Sequence, residues 1–309
     1  MNSPSIETDR EDTGQTAAVE IISAFVDSGA GGNPAGVVFD ADNLSEAEMQ
    51  RIAASVGLSE TAFVSRSGIA DFKLDFFTPT RRIAHCGHAT IATFSHLAQT
   101  GRVGQGETSK ETVDGPRKII IEGDAAFMEQ TAPIYTDAAD WGQGLGVRDV
   151  LHSLGLEADD LLLGMPPVVV NTGNGFMIVP IRSRDTLAAL RPDQDAIARI
   201  SEALDLVGFY AFSVEAASAE RHATARMFGP AYGIPEEAAT GMAAGPLACF
   251  LRDRMSVTDE TILIEQGHFM DAPSPSLLTA RLDIDAGGRI TGLMVGGRAQ
   301  VMGRNQAAI

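Results

Sequence analysis

The sequence predicts an α+β fold built from two similar halves, and two observations lead to this prediction. First, one arrangement occurs twice: a strand ends at a Phe-x-Pro sequence, a loop follows, and a helix of small residues begins at a glycine. It lies at residues 77–97 and again at residues 228–247. Second, strand patterns are frequent along the chain, whereas each half has one such small-residue helix. An internal repeat of this size would direct two helix N-termini at a shared cleft.

Composition and charge narrow the possible classes of protein. Of 309 residues, 44% are hydrophobic and 21% are charged, which is typical of a packed globule with two domains of ordinary size. A formal net charge of −18 would repel phosphates, so we expect no nucleic-acid partner. Two cysteines provide no disulfide framework, which favours a reduced, cytoplasmic setting. We expect no membrane span, because no stretch of about 18 apolar residues lacks charges.

In the first half, periodicity and turn residues predict the elements on both sides of the first repeated helix. Residues 1–17 are polar and acidic, without the apolar core of a signal peptide, and are predicted to be a disordered tail. Ser45 and Glu48 have capping-box spacing and Gly57 is a stop signal, so a helix is predicted between them. Residues 29–36 are rich in glycine but precede a strand, whereas a dinucleotide-binding loop precedes a helix. Strands are predicted at 18–26, 37–39, 62–65, 72–77, 118–122 and 126–130, and a polar segment at 101–115.

In the second half, the same signals predict further helices and strands, and the boundary between the halves falls near residues 131–139. Ser183 has the residue type and position of an N-cap. Helices are predicted at 147–154, 183–190, 194–204 and 241–252. Strands are predicted at 168–171, 176–180, 208–214, 222–228, 261–266, 276–284 and 290–301.

A series of short motifs runs in a fixed order along most of the chain. They are Phe-Val-Asp at 25–27, Gly-Gly-Asn-Pro-Ala-Gly-Val-Val at 31–38, Leu-Ser-Glu-Thr-Ala-Phe-Val at 58–64, Phe-Thr-Pro-Thr at 77–80, Cys-Gly-His-Ala-Thr at 86–90, Pro-Glu-Glu-Ala-Ala-Thr-Gly at 235–241 and Glu-Gln-Gly at 265–267. In this order, they make the chain resemble the PhzF-like (phenazine biosynthesis isomerase-like) family over about residues 19–303. The resemblance implies the diaminopimelate epimerase-like fold, with two pseudo-symmetric domains at residues 18–131 and 132–309. Each would be a barrel-like sheet wrapped around a central helix, with the active site in the cleft between them.

Glu60 and His88 are the first two catalytic candidates. Glu60 precedes the apolar run at residues 62–64, and a carboxyl beside apolar surface can hold a proton near neutrality. From the residues alone, an exposed loop glutamate is the simpler interpretation. In the PhzF-like family, however, the glutamate of this motif is the general acid/base that moves a proton between substrate carbons, and the resemblance assigns this role to Glu60. His88, at a predicted helix N-terminus, could donate a hydrogen bond to a substrate carboxylate or carbonyl, and the family uses this histidine around the substrate.

Glu237 is the third catalytic candidate, and its surroundings depart from the family pattern. The family usually has an Asp followed by Pro here, whereas this chain has a longer carboxylate followed by Ala238, so we expect a looser geometry. The family often has a serine after the glycine of this motif, where this chain has Met242. A thioether cannot donate a hydrogen bond. The change argues against the phenazine precursor dihydro-hydroxyanthranilate as the substrate and favours a more apolar substrate end.

The predicted substrate-binding residues lie at the starts of the repeated helices and in one loop: Asn33, Cys86, Gly87, Thr240, Gly241 and Met242. The two glycines lack a Cβ, so the backbone can approach a substrate closely. Two helix N-termini facing one cleft would stabilise a carboxylate or a developing enolate without a cofactor. Asp27, Gln266 and Gly267 are secondary candidates for the wall of the cleft.

Cys86 leaves a second interpretation open. A helix N-terminus lowers the pKa of a thiol, and related epimerases and racemases use a cysteine at this place as a base. In a racemase with two bases, the second base would come from the second repeat, where this chain has Thr240. A two-cysteine racemase is therefore disfavoured, and a dehydratase with Cys86 as its one base remains as the alternative. Alternatively, Cys86 has no catalytic role and is simply a small buried residue at the start of the helix. His85 and His88 flank Cys86, but a closed zinc site needs four ligands and the sequence has no second Cys/His cluster, so no metal is expected.

Together, these observations and the resemblance predict a cofactor-independent isomerase that moves a proton between carbons of a small cyclic or amino carboxylic acid. A Cys86-dependent epimerase or dehydratase is the first alternative. A non-catalytic ligand-binding protein on the same scaffold is the second, which the altered residues Ala238 and Met242 keep open. A homodimer is expected, because the family commonly forms one.

Overall fold

The fold has more strand than helix, and one helix of small residues packs against the sheet in each half. The computed structural model describes residues 16–113, 115–142 and 144–309. The strands of the first half are β1 (Thr16–Ala24), β2 (Asn33–Val38), β3 (Thr61–Ser65), β4 (Phe72–Phe77), β5 (Arg82–Ile83), β6 (Gly106–Thr112), β7 (Gly115–Glu122) and β8 (Ala125–Thr131). Those that follow are β9 (Ile134–Thr136), β10 (Val168–Asn171), β11 (Gly175–Pro180), β12 (Gly208–Ser213), β13 (Ala223–Gly229), β14 (Ile234–Glu237), β15 (Thr261–Gln266), β16 (Ser276–Ile284) and β17 (Ile290–Ala308). The helices are α1 (Glu46–Val56), α2 (Gly87–Gln99), α3 (Val147–Leu154), α4 (Arg184–Ala188), α5 (Gln194–Leu204) and α6 (Gly241–Met255).

The sheet of the first half closes on itself around α2. The pairing runs β1–β2–β3–β4–β6–β7–β8–β17 and returns from β17 to β1. Closure leaves no free edge among these strands. Inside, α2 contacts most of the strands of the barrel, including β2, β8 and β17.

The sheet of the second half runs from β9 through β10, β11, β12, β13, β15 and β16 to β17, and α6 packs against β10, β11, β16 and β17. The last strand joins the two halves. Residues 290–296 of β17 pair with β16, whereas residues 299–308 pair with β1. The predicted boundary at residues 131 and 132 lies between β8 and β9, and the division into two domains there stays a prediction.

The helices follow from local sequence signals. At α1, the Ser45 side chain accepts from the Glu48 N–H and the Glu48 side chain accepts from the Ser45 N–H, which confirms the predicted capping box, and Gly57 ends the helix in the left-handed conformation. Residues 87–97 of α2 are all buried, and most are small, which lets the barrel strands approach the helix on all sides. No helix among the described residues is both long and apolar enough to cross a bilayer.

The sequence-based assignments miss some strands and ends. The predicted polar segment at residues 101–115 contains β6, whose inward side chains are Thr108, Lys110 and Thr112. Because polar residues occupy both faces, the apolar alternation that indicates a strand is missing. The short strands β5, β9 and β14 were not predicted, and β17 extends beyond the predicted end at residue 301. Thr16 and Ala17 pair with the end of β17 and belong to β1, whereas the remainder of the predicted tail lies outside the described residues.

Two glycines of β17 provide a matched test of the packing between β17 and β8. A Cβ on Gly296 would lie 2.0 Å from the Ala126 carbonyl oxygen, whereas a Cβ on Gly303 would meet no atom within 4 Å. We expect Gly296→Ala to lower the free energy of unfolding by about 1–3 kcal/mol, because the backbone must shift. Gly303→Ala should stay within about 0.5 kcal/mol of wild type. Denaturant unfolding of both variants measures this, and equal stability of the two would contradict the close approach of β17 to β8.

Candidate active site

A cavity of about 390 Å³ lies between the N-terminal ends of α2 and α6. The helices begin at Gly87 and Gly241, and their N-cap residues, Cys86 and Thr240, make no side-chain capping hydrogen bond. The first N–H groups of each helix are therefore not neutralised by a cap and carry the partial positive charge of the helix end. Among the predicted catalytic and substrate-binding residues, Asn33 does not line the cavity. The others do: Glu60, Cys86, Gly87, His88, Glu237, Thr240, Gly241 and Met242.

Glu60 reaches the cavity from the turn that precedes β3. Its carbonyl oxygen accepts a hydrogen bond from the Gly36 N–H at 3.0 Å, which fixes the backbone beside β2. Its side chain is 14% exposed, and Oε2 lies 3.3 Å from His88 Nε2 without hydrogen-bond alignment. Among the described residues, Oε2 therefore has no hydrogen-bond partner. A buried carboxylate oxygen that keeps its lone pairs available is suited to accept a proton from a ligand.

His88 lies in the first turn of α2 and separates two carboxylates. Its Nε2 is 3.3 Å from Glu60 Oε2, and its Nδ1 is 3.6 Å from Glu237 Oε1. The side chain is only 5% exposed, so its ring is held by its neighbours. The two acidic residues belong to different halves of the chain, and the imidazole joins them into one polar cluster.

Glu237 is fixed by contacts from both halves of the chain. Asn33 Nδ2 donates to Glu237 Oε1 at 3.0 Å and to the Ala239 carbonyl at 3.0 Å, and the Thr240 hydroxyl donates to Glu237 Oε2. The looser geometry expected from the longer side chain is therefore not found. Burial raises the pKa of the Glu237 carboxyl, and Glu60 adds to this, whereas His88, Thr240 and Asn33 oppose it. Glu237 thus holds a proton more readily than an exposed glutamate does.

Gln266 stabilises the arrangement of Glu237 and Thr240 through hydrogen bonds. It is fully buried, and its Nε2 donates to the Glu237 carbonyl at 2.7 Å and to Thr240 Oγ1 at 3.1 Å. Its Oε1 accepts from the Thr240 N–H at 3.0 Å and from the Tyr210 hydroxyl at 2.9 Å. The amide therefore orients the residue that precedes α6, although it does not line the cavity.

The secondary candidates for the wall of the cleft are not at the cavity. Asp27 forms a two-point ion pair with Arg221, at 2.8 and 3.0 Å, and Arg221 also contacts the fully buried Glu265 at 2.8 Å. Gly267, like Gln266, lies outside the lining, in a left-handed turn with φ of 79°. The motif residues Asp27 and Glu265 thus join the halves, because Asp27 follows β1 and Arg221 precedes β13.

The predicted low pKa of Cys86 is wrong. Burial raises the pKa of the Cys86 thiol well above its ordinary value, and the nearby Glu60 carboxylate adds to this. A helix N-terminus lowers a thiol pKa only where burial and anionic neighbours do not outweigh it. Cys86 Sγ lies 3.6 Å from His88 Nδ1. A protonated, buried thiol is a poor base, so this geometry does not favour a Cys86-dependent epimerase or dehydratase.

Glu60, Cys86 and His88 each place one potential metal-ligand atom within 4.8 Å of the others. These are three groups, whereas a closed zinc site needs four ligands. The expectation of no metal stays a prediction.

Sequence reasoning missed several residues at the cavity. Arg81 and His85 line it, although both lie between the motifs at residues 77–80 and 86–90, and Asn174 joins them from the turn between β10 and β11. A larger cavity of about 720 Å³ adjoins the first and shares His85, Asn174 and Met242 as its boundary. From the sequence, His85 is a candidate only for a zinc ligand, and an asparagine in a turn carries no signal of a site.

The sequence also matches known proteins. A family model described as "Phenazine biosynthesis-like protein" matches residues 22–304. The chain belongs to this family. This member of the phenazine biosynthesis-like family is 35% identical over 252 residues to "Uncharacterized isomerase YddE" of Escherichia coli, covering 80% of this chain and 83% of the relative. It is 33% identical over 299 residues to trans-2,3-dihydro-3-hydroxyanthranilate isomerase of Pseudomonas aeruginosa, covering 93% of this chain and 98% of the relative.

The fold agrees with this assignment. The structure of a Bacillus anthracis phenazine biosynthesis protein of the PhzF family superposes with a TM-score of 0.85 and 28% sequence identity, covering 96% of this chain and all of that one. The predicted family and fold class are thus confirmed. The curated relatives of this phenazine biosynthesis-like protein are named isomerases, and the chain is an isomerase.

The raised thiol pKa values predict slow alkylation. Burial raises the pKa of Cys249 to about 12, and Cys86 is shifted in the same direction. Each unit of increase lowers the thiolate fraction about tenfold. We therefore expect both cysteines of the native protein to react with iodoacetamide at pH 8 at least about tenfold more slowly than in the unfolded chain. Peptide mass spectrometry measures both sites, and rapid labelling of native Cys86 would restore the cysteine-dependent alternatives.

Proposed function

We propose that this isomerase works without a cofactor and moves a proton between two carbons of a small cyclic or amino carboxylic acid, with Glu60 as the general acid/base. The observation that carries this proposal is the Glu60 carboxylate at the cavity, whose buried Oε2 has no hydrogen-bond partner among the described residues. Such an oxygen can take a proton from a carbon acid without first breaking a bond to the protein.

The cavity is suited to an acidic substrate. The uncapped starts of α2 and α6 offer backbone N–H groups to a carboxylate or to a developing enolate oxygen. Arg81 lines the same cavity, and none of the ion pairs in the described part of the chain includes it. A cation at this place would attract an acid towards the two glutamates, which would otherwise repel it.

The proposed reaction has two proton transfers. Glu60 Oε2 takes the proton from a carbon next to the activating group, and the C–H electron pair moves into the conjugated system to form an enolate-type anion. Glu60 then returns the proton to a different carbon, so a new C–H bond forms as the double bond moves. No oxidant or reductant is needed, because the substrate and the product are isomers.

His88 and Glu237 would support Glu60 and the substrate. The imidazole stands between the two carboxylates, and either ring nitrogen can donate a hydrogen bond, depending on its tautomer. Because Glu237 holds a proton more readily than usual, the cluster can accommodate a negatively charged Glu60 without two adjacent anions. Because the Met242 thioether cannot donate a hydrogen bond, an acid with a more apolar end that packs on Met242 is favoured as the substrate over that of the Pseudomonas aeruginosa relative, trans-2,3-dihydro-3-hydroxyanthranilate.

Glu60→Gln tests the proposed acid/base. We expect wild type to introduce solvent deuterium into one compound of a panel in D2O that contains trans-2,3-dihydro-3-hydroxyanthranilate and small cyclic and amino carboxylic acids. Glu60→Gln should lose at least about a hundredfold in rate, because the amide cannot accept the proton. Proton NMR follows the exchange.

Cys86→Ala is the matched comparison, since it changes another polar side chain of the same cavity. It should keep exchange within about tenfold of wild type, because a protonated thiol does not act as the base. Full exchange in Glu60→Gln, or its loss in Cys86→Ala alone, would contradict the assignment to Glu60.

A further inference from the structure

Lys110 is a fully buried cation that the proposed reaction does not use. It lies on β6, and in the described part of the chain it forms no ion pair with a carboxylate. Burial lowers the pKa of Lys110 to about 7. A buried cation without an acidic partner is costly, so its contacts indicate what it does for the site.

All three N–H groups of the Lys110 ammonium are used within the protein. Thr90 Oγ1 lies 2.6 Å from Nζ, His85 Nδ1 lies at 3.3 Å and Met128 Sδ at 3.9 Å. An ammonium group has three donors and no acceptor. Lys110 lines the larger cavity, but these three contacts account for its three donors, so it affects the smaller cavity only through its neighbours.

One neighbour connects Lys110 to the start of α2. The Thr90 hydroxyl accepts from Lys110 and donates to the Cys86 carbonyl at 2.7 Å. This chain of hydrogen bonds holds the first turn of the helix against β6.

The second neighbour is His85, which lines both cavities. Burial lowers the pKa of His85 to about 3, and the charges of Lys110 and Arg117 act in the same direction. The imidazole is therefore neutral near pH 7, with one nitrogen as donor and the other as acceptor. Since an ammonium has no acceptor, a protonated Lys110 can only donate to Nδ1 in this 3.3 Å contact, which places the imidazole hydrogen on Nε2.

We propose that Lys110 is a positioning residue that holds His85 as the neutral Nε2–H tautomer, so that His85 donates a hydrogen bond to a substrate oxygen where the two cavities meet. This inference rests on the proposed function, since it takes the smaller cavity as the substrate site. It adds a requirement on the substrate: a hydroxyl, carbonyl or carboxylate oxygen must reach the boundary formed by His85, Asn174 and Met242.

The pH dependence follows from the groups that face Lys110. They are His85 in the loop before α2, the Cys86 thiol at its start and Arg117 on β7, whereas Phe76 on β4 and Met128 on β8 carry no charge. As pH rises through about 7, Lys110 loses its proton, and its hydrogen bond to His85 Nδ1 weakens. Binding that needs the Nε2–H group should therefore weaken above pH 7.

The state of His85 can be measured without a ligand by ¹⁵N NMR of the imidazole nitrogens in the full chain, with His85→Leu to assign the resonances. At pH 5.5, we expect His85 to be neutral with the hydrogen on Nε2, whereas an ordinary histidine would be mostly protonated. In Lys110→Met, part of the His85 signal should move to the imidazolium or to the Nδ1–H tautomer. Lys110→Arg, which keeps the charge, should resemble wild type, and Lys118→Met is the control for an exposed lysine.

Binding of 3-hydroxyanthranilate, the aromatic analogue of the relative's substrate, measures the consequence. We expect the Kd to rise about tenfold in Lys110→Met and in His85→Leu, and less in His85→Gln, whose amide nitrogen can replace Nε2. The His85 Nε2–H signal of wild type should shift when the probe binds.

An imidazolium or an Nδ1–H tautomer in wild type at pH 5.5 would overturn the proposal. So would a Lys110→Met spectrum equal to that of wild type, or a bound probe that leaves the His85 signal unmoved. These outcomes are separate from the proposed function, because Glu60→Gln should abolish deuterium exchange and leave the His85 tautomer as it is. If Lys110→Arg fails to fold, wild type and Lys110→Met still decide the question.

Discussion

The arrangement depends on one constraint: a single imidazole at a helix N-terminus keeps two carboxylates apart. His88 lies 3.3 Å from Glu60 and 3.6 Å from Glu237, and all three side chains are largely withdrawn from water. Two carboxylate anions on either side of one imidazole ring would repel each other strongly in a medium of low polarity. The histidine, the helix end and the raised pKa of Glu237 together relieve that repulsion and leave Glu60 able to act as a base.

The fold maintains this separation by linking the two halves beside the cavity. Asn33, at the start of β2, reaches across to Glu237 and to the Ala239 carbonyl. Asp27 and Arg221 form a second link, which Glu265 extends into the interior. The strand β17 belongs to both sheets and provides a third link. The halves therefore present α2 and α6 to each other in a fixed geometry.

Much of the fold and of the site could be predicted from the sequence because the signals are local. The capping box at Ser45 and Glu48 and the glycines at the two helix starts act within a few residues. The resemblance to the family's motifs also identified the two carboxylates and the histidine that meet at the cavity. Family resemblance was needed for the architecture, because closure of a barrel depends on pairings between distant strands such as β1 and β17.

What could not be predicted depends on the surroundings of each group. The thiol pKa of Cys86 is set by burial and by Glu60, which lies in another loop of the chain, and these outweigh the helix end. The link from Asn33 to Glu237 spans residues far apart in sequence, and no local pattern reports it. Lys110 looked like a residue of a polar connection, because its strand lacks the apolar alternation that would place it inside the barrel.

The most direct test of the central claim is a crystal structure of the protein with bound 3-hydroxyanthranilate or with the compound that exchanges deuterium. We predict that the ligand carboxylate lies at the start of α2 or α6 and that Glu60 Oε2 faces the carbon that exchanges. A ligand carbon that faces Cys86 Sγ, or a ligand confined to the larger cavity beyond Met242, would contradict the account.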